Sequence, residues 1–381
     1  MKFILSIFLF SLSYTSHSQD ISYNKKIVDT LTSSAFWGRG YTNNGMKKAA
    51  SFLANEFKTI GLKPLGKKDY LQKLTYSANT FSGSMEVTIN GKKLITGVDY
   101  IVSADSKGTN ATGNLAQKDS ATFIDNENAI IVTLEKKLTW EASQKVENYT
   151  LIKLDKTKFT ELPKSIKIDI ENKFIKKFDA ANVCAMVTGT LKPDSFIFIT
   201  AHYDHLGGMG RDTYFPGAND NASGVALLLS LAKYYVKNPQ KYSIAFILFA
   251  GEEIGLLGSK YYTENPIVPL KKIRFLTNTD LAGTGIDGIT VVNATEFPKE
   301  FALMQKINTE GKYLKAVNAR GKAANSDHYF FTEKGVPSFF FYTLGGIAAY
   351  HDVFDKAATL PLNEQADLLQ LIIKFNEGLQ K

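Results

Sequence analysis

The chain has 381 residues, of which 44% are hydrophobic and 12% are aromatic; this composition is typical of a globular protein, with one α/β domain carrying an insertion or with two domains. The formal net charge is +8, but the lysines are scattered and no nucleic-acid-binding motif is present, so we predict a solvated basic surface and no nucleic-acid partner. Cys184 is the only cysteine, which excludes an intramolecular disulfide.

Residues 1–18 are predicted to be a secretory signal peptide. A lysine follows Met1, residues 3–12 are apolar, and Ser16-His17-Ser18 is a small-x-small cleavage site. An apolar run of about ten residues is too short to span a bilayer, which needs about twenty. We therefore expect a mature chain that begins near Gln19, is secreted or periplasmic, and has no membrane anchor.

Residues 19–80 are predicted to form the N-terminal part of the main domain. The apolar residues of 46–57 fall on one helical face, and Gly61 follows at the position where glycine commonly ends a helix. Arg39 stands between Gly38 and Gly40, where we predict that it makes a structural contact in a loop.

Residues 81–155 are predicted to form a small β-rich insertion without catalytic residues. Alternating residues at 85–89 precede Asn90-Gly91, a dipeptide typical of a hairpin turn. Residues 129–134 and 150–154 are predicted to be further strands.

Residues 156–381 alternate between predicted strands and predicted helices, which favours a mostly parallel sheet covered by helices. The strands are predicted at 182–187, 196–201, 244–250, 274–277, 289–293 and 338–342, and the helices at 225–232, 301–310, 327–334 and 362–379. The predicted fold class is α/β, a three-layer α/β/α sandwich with a mostly parallel central sheet.

Histidines and carboxylates follow several of these strands. The side chains in question are His202 and Asp204, Glu252 and Glu253, Asp280, and His351, with Asp220 or Asn221 predicted near the N-cap of the helix after the second strand. Taken one at a time, such acids are often helix caps and such histidines are often ordinary hydrogen-bonding residues. Because the carboxyl ends of parallel strands lie along one edge of a sheet, we expect the set to converge.

Nitrogen and oxygen ligands without a thiolate suit zinc in an open, catalytic site. Two histidines and three acids drawn from this set exceed the needs of one tetrahedral zinc but suit a pair of zinc ions. The chain has no H-E-x-x-H motif, which disfavours a single-zinc protease of the thermolysin type.

An ordered set of motifs resembles the co-catalytic zinc aminopeptidases, metallopeptidase family twenty-eight, which also contains glutamate carboxypeptidase and glutaminyl cyclases. The motifs are His202-Tyr203-Asp204, the stretch from Gly217 to Gly224, Gly251-Glu252-Glu253, Asn278-Thr279-Asp280, Ser326-Asp327-His328 and Tyr350-His351. The resemblance covers residues near 25–75 and 178–381 and implies a zinc-peptidase-like fold, in which the insertion is similar to a reduced protease-associated insert.

The resemblance also implies residue roles. Asp220 would bridge two zinc ions and precede a cis peptide, His202 and Asp280 would complete one zinc site, and Glu253 and His351 would complete the other. Glu252 would be the general base, and Tyr350 would hydrogen-bond the developing oxyanion.

Four further residues are candidates around this site. We expect Asp204 to orient the ring of His202 through its other nitrogen. We expect His205, Arg211 and His328 to border the substrate pocket, with ordinary hydrogen bonding favoured over ligation for the two histidines.

The predicted function is that of an exopeptidase acting on peptides, most simply an aminopeptidase. A carboxypeptidase of the glutamate carboxypeptidase type is an alternative, with Arg211 or Arg320 binding the terminal carboxylate. A glutaminyl cyclase is less favoured, because such enzymes tend to have Glu-Asp where this chain has Glu252-Glu253. A catalytically inactive binding protein, as in the transferrin receptor, is disfavoured because all ligands and the base are present. The preferred side chain at the cleaved residue, the metal used in vivo and the oligomeric state stay open.

Overall fold

The computed structural model describes residues 21–66, 68–159 and 161–381, so the predicted signal peptide lies outside the described residues. In that part of the chain the helices are α1 Ile21–Leu31, α2 Gly45–Ile60, α3 Gly224–Lys237, α4 Leu257–Glu264, α5 Pro298–Gly311, α6 His328–Glu333 and α7 Gln365–Gly378. The described helices include none with the length and apolar character that a membrane crossing requires.

The strands are numbered in chain order. They are β1 Lys63–Pro64, β2 Leu71–Thr80, β3 Met85–Ile89, β4 Lys92–Lys93, β5 Tyr100–Val102, β6 Thr109–Asn114, β7 Ala116–Gln117, β8 Thr122–Asp125, β9 Ile130–Glu135, β10 Thr150–Asp155, β11 Ser165–Ile170, β12 Lys173–Val187, β13 Lys192–His202, β14 Gly207–Met209, β15 Thr213–Phe215, β16 Tyr242–Phe249, β17 Ile273–Asp280, β18 Ile289–Val292, β19 Val317–Ala319 and β20 Ser338–Thr343.

The main sheet has the order β1-β12-β16-β13-β17-β20-β18-β19, with β2 also paired to β12. Its centre, β16-β13-β17-β20, is parallel as predicted. The flanking pairs β12/β16 and β18/β20 are antiparallel, which the sequence pattern did not predict, because alternation reveals a strand but not its direction. The predicted α/β class is confirmed.

Alternating side chains of the central strands build the three predicted layers. In β13, Ile197 and Ile199 face one core and Phe196 and Phe198 face the other. Helices α1, α2, α3, α5 and α7 contribute to the first core, and α4 and α6 contribute to the second. A continuous apolar strand is therefore covered on both faces, as expected for a buried parallel sheet.

The N-terminal helix prediction is confirmed by α2. Ala49, Leu53 and Phe57 are buried, and Gly61 ends the helix with a φ of 101°. Only glycine adopts this left-handed conformation without steric cost, which explains its place at the helix terminus.

The strands between Met85 and Ile170 form two small sheets, β5-β10-β9-β8-β7 and β4-β3-β11-β6. The predicted hairpin is present, because β3 and β4 are antiparallel and flank Asn90-Gly91. Strand β11 lies beyond residue 155, the predicted end of the insertion, and pairs with β3. A separate core of buried side chains fills these sheets, and the antiparallel pair β2/β12 connects them to the main sheet.

Candidate metal centre and active site

The structure brings together the five side chains that the sequence assigns to a metal pair. His202 ends β13 and Asp280 ends β17, while Glu253 follows β16. His202 Nε2 lies 3.4 Å from Asp220 Oδ1 and 3.3 Å from Asp280 Oδ2. His351 Nε2 lies 3.0 Å from Asp220 Oδ2 and 3.0 Å from Glu253 Oε2. The two oxygens of Asp220 therefore face one histidine each.

Both histidines direct Nε2 toward these carboxylates because Nδ1 of each ring is hydrogen-bonded to a main-chain carbonyl. His202 Nδ1 lies 3.2 Å from the carbonyl oxygen of Asp204, and His351 Nδ1 lies 2.9 Å from that of Trp140. A carbonyl oxygen only accepts hydrogen bonds, so each Nδ1 carries a proton, and the neutral form of each ring has its lone pair on Nε2. This is the tautomer in which histidine binds a metal through Nε2.

The donor set fits zinc ions. Ligand atoms of His202, Asp220 and Asp280 lie within 4.8 Å of one another, and so do those of His205, Asp220 and Glu253. Zinc bonds of about 2.0–2.1 Å in a tetrahedron separate neighbouring ligand atoms by about 3.3 Å. The distances of 3.0–3.4 Å around His202 and His351 match this spacing. His202 Nε2 makes no hydrogen bond of normal geometry within the described residues.

Asp204 contacts the other ring nitrogen of His202, where the prediction placed it, but through its main-chain carbonyl and not its carboxylate. Its Oδ1 lies 3.9 Å from His202 Nδ1, so the carboxylate does not orient the ring; its own main-chain carbonyl does. The carboxylate instead accepts hydrogen bonds from the backbone N–H groups of Glu252 (3.1 Å) and Glu253 (3.4 Å). Burial raises the pKa of Asp204 to about 7, although the charge of His202 acts in the opposite direction. Asp204 thus positions the loop that follows β16.

Glu252, the predicted general base, lies in this loop. Its carboxylate is close to His202 and Glu253. Burial raises the pKa of Glu252 well above its usual range; His202 lowers it, and the nearby carboxylates of Glu253 and Asp327 raise it further. A carboxyl group with a raised pKa can accept a proton and return it.

Of the two residues predicted near the N-cap of α3, Asp220 does not cap it, whereas Oδ1 of Asn221 accepts a hydrogen bond from the N–H of Gly224 at 3.0 Å. Helix α3 begins at Gly224, and Asp220 belongs to the preceding wide turn Ala218–Ser223, where its backbone is not helical. Its side chain faces His202 and His351 rather than the first N–H groups of the helix. The Asp220–Asn221 peptide is cis, as the resemblance implies.

Arg39 fixes the backbone of this turn and has the predicted structural role. It is fully buried, and all five of its N–H groups donate to carbonyl oxygens. The acceptors are Tyr203 (2.9 Å), Leu31 (3.1 Å), Pro216 (2.7 Å), Gly217 (2.8 Å) and Asp220 (3.2 Å). The guanidinium thereby joins α1, the residue after β13 and the turn that carries Asp220.

Asp355 supports the same turn and was not found from the sequence. Its buried carboxylate accepts hydrogen bonds from the backbone N–H groups of Asn219 (2.8 Å) and Asp220 (3.0 Å). Burial raises the pKa of Asp355 to about 6, and these two hydrogen bonds oppose that shift. Its only signal in the sequence is that it follows His351 in the same loop, which does not distinguish it from Asp352.

Of the remaining candidates, Tyr350 lies at the site and Arg211 does not contact it. The Tyr350 ring stacks on that of His351 with centroids 4.0 Å apart and is 42% exposed. Arg211 is exposed between β14 and β15, and no hydrogen bond or ion pair joins it to the cluster within the described residues.

The two remaining histidines do not line an open pocket, contrary to the prediction. His205 is fully buried, and its Nδ1 lies 2.6 Å from Glu253 Oε1, so it makes the hydrogen bond that was the favoured alternative. His328 is fully buried at the start of α6 and stacks on Phe340 of β20. Burial lowers the pKa of His328 to about 3.

Comparisons with known proteins identify the family of the chain. The model of peptidase family M28 matches residues 182–375, just over half of the chain. Aminopeptidase YwaD of Bacillus subtilis (strain 168) is 30% identical over 151 residues, which are 39% of this chain and 32% of that protein. A probable leucine aminopeptidase of Arthroderma otae is 28% identical over 207 residues, 51% of this chain and 57% of that protein. The chain spans about a third or less of the length of the first curated relatives that it matches.

Solved structures share the fold over almost the whole chain. A peptidase M28 precursor from Shewanella amazonensis SB2B aligns with a TM-score of 0.73 and 17% identity, covering 95% of this chain and 94% of that one. A zinc aminopeptidase from Bacillus subtilis aligns with a TM-score of 0.69 and 17% identity, covering 94% of each. The motif resemblance, the matched family model and the common fold lead to one conclusion: this chain belongs to peptidase family M28.

Proposed function

We propose that the chain is a zinc-dependent exopeptidase, an aminopeptidase that removes N-terminal residues from peptides with two zinc ions per chain. The observation that carries the proposal is the convergence of His202 and His351 on the two oxygens of Asp220, at 3.4 Å and 3.0 Å. Membership of peptidase family M28 supports peptide hydrolysis, and relatives named as aminopeptidases support release of the N-terminal residue.

In this proposal each zinc ion has its own histidine. His202 and Asp280 would hold one ion, His351 and Glu253 would hold the other, and Asp220 would serve both. His205 holds Oε1 of Glu253 with a 2.6 Å hydrogen bond, which leaves Oε2 directed to His351 Nε2. Buried carboxylates repel one another, and divalent cations remove that repulsion.

The reaction is hydrolysis of a peptide bond by water. Zinc held by these residues would supply Lewis-acid chemistry, which lowers the pKa of a bound water and polarises a carbonyl group. Glu252 accepts the proton of the attacking water and returns it to the leaving amine, for which its raised pKa is suited. Asp204 holds the backbone N–H groups of Glu252 and Glu253, and the phenol of Tyr350 donates to the developing oxyanion.

Neighbouring glutamates provide a matched test of these roles. Glu252→Gln should retain near-normal zinc and lose about 10²-fold to 10⁴-fold in turnover, the usual contribution of a general base. Glu253→Gln should instead lose zinc, because Glu253 is a proposed zinc ligand whose Oε2 lies 3.0 Å from His351 Nε2. Turnover by Glu252→Gln at the wild-type rate would show that the base assignment is wrong.

A substrate panel separates the aminopeptidase from its alternatives. Peptides with a free amino terminus, the same peptides with an N-acetyl group and peptides with a C-terminal amide are incubated with and without a zinc chelator. We expect chelator-sensitive cleavage of the free and C-amidated peptides only. Cleavage of the N-acetylated peptide from its carboxyl terminus would favour the carboxypeptidase, and cyclisation of N-terminal glutamine would favour the cyclase.

We also propose that the chain is exported and cleaved near Ser18 and Gln19. The support is the order of a lysine, an apolar run and small residues at the amino terminus. N-terminal sequencing of the protein recovered from the periplasm or medium tests this, and recovery of an intact Met1 there would contradict it.

A further inference from the structure

A segment of the β-rich insertion contacts the loop that carries His351. The backbone N–H of Trp140 donates to the carbonyl oxygen of His351 at 2.9 Å. His351 Nδ1–H donates in return to the carbonyl oxygen of Trp140 at 2.9 Å. The hydrogen-bond partner that fixes this imidazole therefore comes from the insertion and not from the main sheet.

The backbone of His351 depends on such support. Its φ is +53°, a left-handed conformation that residues with a side chain rarely adopt and that costs free energy unless the surroundings hold it. The paired hydrogen bonds to Trp140 hold both its carbonyl group and its ring.

Trp140 is itself anchored in the core of the insertion. Its side chain is 5% exposed, and Nε1–H donates to the carbonyl oxygen of Val102 at 2.8 Å. Its ring stacks on Phe215, with centroids 4.6 Å apart and an angle of 25° between the planes. The main chain at Trp140 is thus positioned by the packing of its own indole.

Two further contacts join the same loop to the insertion. Lys137 Nζ donates to the carbonyl oxygen of Ala348 at 2.8 Å, and Val353 packs against the buried cluster that fills the insertion. His202, in contrast, donates Nδ1–H to Asp204 of the main domain. The two histidines therefore depend on different parts of the fold.

We propose that the β-rich insertion is a structural part of the metal centre and that Trp140 is a positioning residue for His351. This inference rests on the proposed function. When Trp140 is no longer held in place, the zinc affinity of the site formed by His351 and Glu253 falls. The zinc affinity of the site formed by His202 and Asp280 stays nearly unchanged.

The test is a zinc titration of the full chain in competition with a chromophoric chelator. Trp140→Leu is compared with Phe123→Leu, which truncates another buried aromatic side chain of the same core. Within the described part of the chain, no hydrogen bond or ring contact joins Phe123 to His351. Trp140→Leu keeps the main-chain carbonyl that faces His351 but removes the indole that positions it, so the loss of metal affinity should approach the roughly 10-fold to 100-fold seen when an outer hydrogen-bond partner is lost. We expect this loss of affinity in Trp140→Leu at the site formed by His351 and Glu253 only. Phe123→Leu should bind zinc as the wild type does.

A second readout is the Nδ1–H signal of His351 in histidine-selective NMR, which is tractable because the chain has five histidines. We expect this signal to broaden in zinc-free Trp140→Leu and to persist in Phe123→Leu. If Trp140→Leu does not fold, Trp140→Phe, which keeps a stacking ring but loses the bond to Val102, is measured by the same criteria.

Equal binding of both ions in the Trp140 variant and the wild type overturns the inference, and so does an equal loss in Phe123→Leu. A wild-type chain that binds no zinc would instead overturn the proposed function, so the two failures are distinguishable.

Discussion

Replacement of Arg39 by lysine tests how the turn carrying Asp220 is held. The arginine uses five N–H groups on five carbonyl oxygens, whereas a lysine ammonium has three donors. At least two buried carbonyl groups therefore lose the hydrogen bond from Arg39. The carbonyl of Gly217 also accepts from the N–H of Ala222, so at least one group is left unpaired, and each unpaired group costs about 1–3 kcal/mol. We expect Arg39→Lys to lower the free energy of unfolding by about 1–6 kcal/mol, a sizeable part of the roughly 5–15 kcal/mol typical of folded proteins.

The assay is urea unfolding followed by far-UV circular dichroism, with a chelator present so that metal binding does not contribute. Arg320→Lys is the matched control, because Arg320 is exposed and donates to the hydroxyl of Tyr342. The control should change the free energy of unfolding by no more than about 0.5 kcal/mol. If the two variants unfold at the same urea concentration, the carbonyl contacts of Arg39 do not stabilise the fold as argued.

Two further substitutions test other buried groups. Asp355→Asn replaces a carboxylate oxygen that faces backbone N–H groups by an amide NH₂, so we expect zinc affinity to fall by about tenfold; an unchanged titration curve would contradict this. Burial lowers the pKa of His328 to about 3 from an ordinary value of 6.5, so its neutral form stabilises the fold above pH 6.5 and that contribution is lost as pH falls toward 3. His328→Phe should remove this dependence, and the wild type should lose about 2 kcal/mol relative to the variant between pH 7 and pH 4.5; parallel pH profiles would refute it.

Much of the fold was predictable because hydrophobic periodicity reports local structure. Strands such as β13 and β16 are apolar on both faces, and α2 has an apolar stripe that ends at Gly61. The direction of the strands could not be predicted in the same way. Strands β12 and β18 have ordinary strand patterns, and their antiparallel pairing depends on how the chain connects them to their neighbours in the sheet.

His202, Glu253 and Asp280 could be located from strand ends, and the ligand roles of Asp220 and His351 from the family resemblance. The groups that support these ligands could not be located in either way. Asp204 contributes its main-chain carbonyl to His202, and Trp140 contributes its own to His351 from a distant segment. Every residue has a main-chain carbonyl, so no pattern in the sequence shows which of these groups contacts a histidine. Asp355 has a signature, but an acidic residue in a loop is too common for its two contacts to be inferred from sequence.

Counting zinc per chain tests the central claim most directly. Zinc-saturated protein is passed through a desalting column, and its zinc content per chain is measured by elemental mass spectrometry. The wild type should hold two ions, and Asp220→Ala should hold fewer. Removal of zinc should abolish peptide hydrolysis, and its return should restore it. A fully active preparation without metal, or two ions retained by Asp220→Ala, would contradict the account.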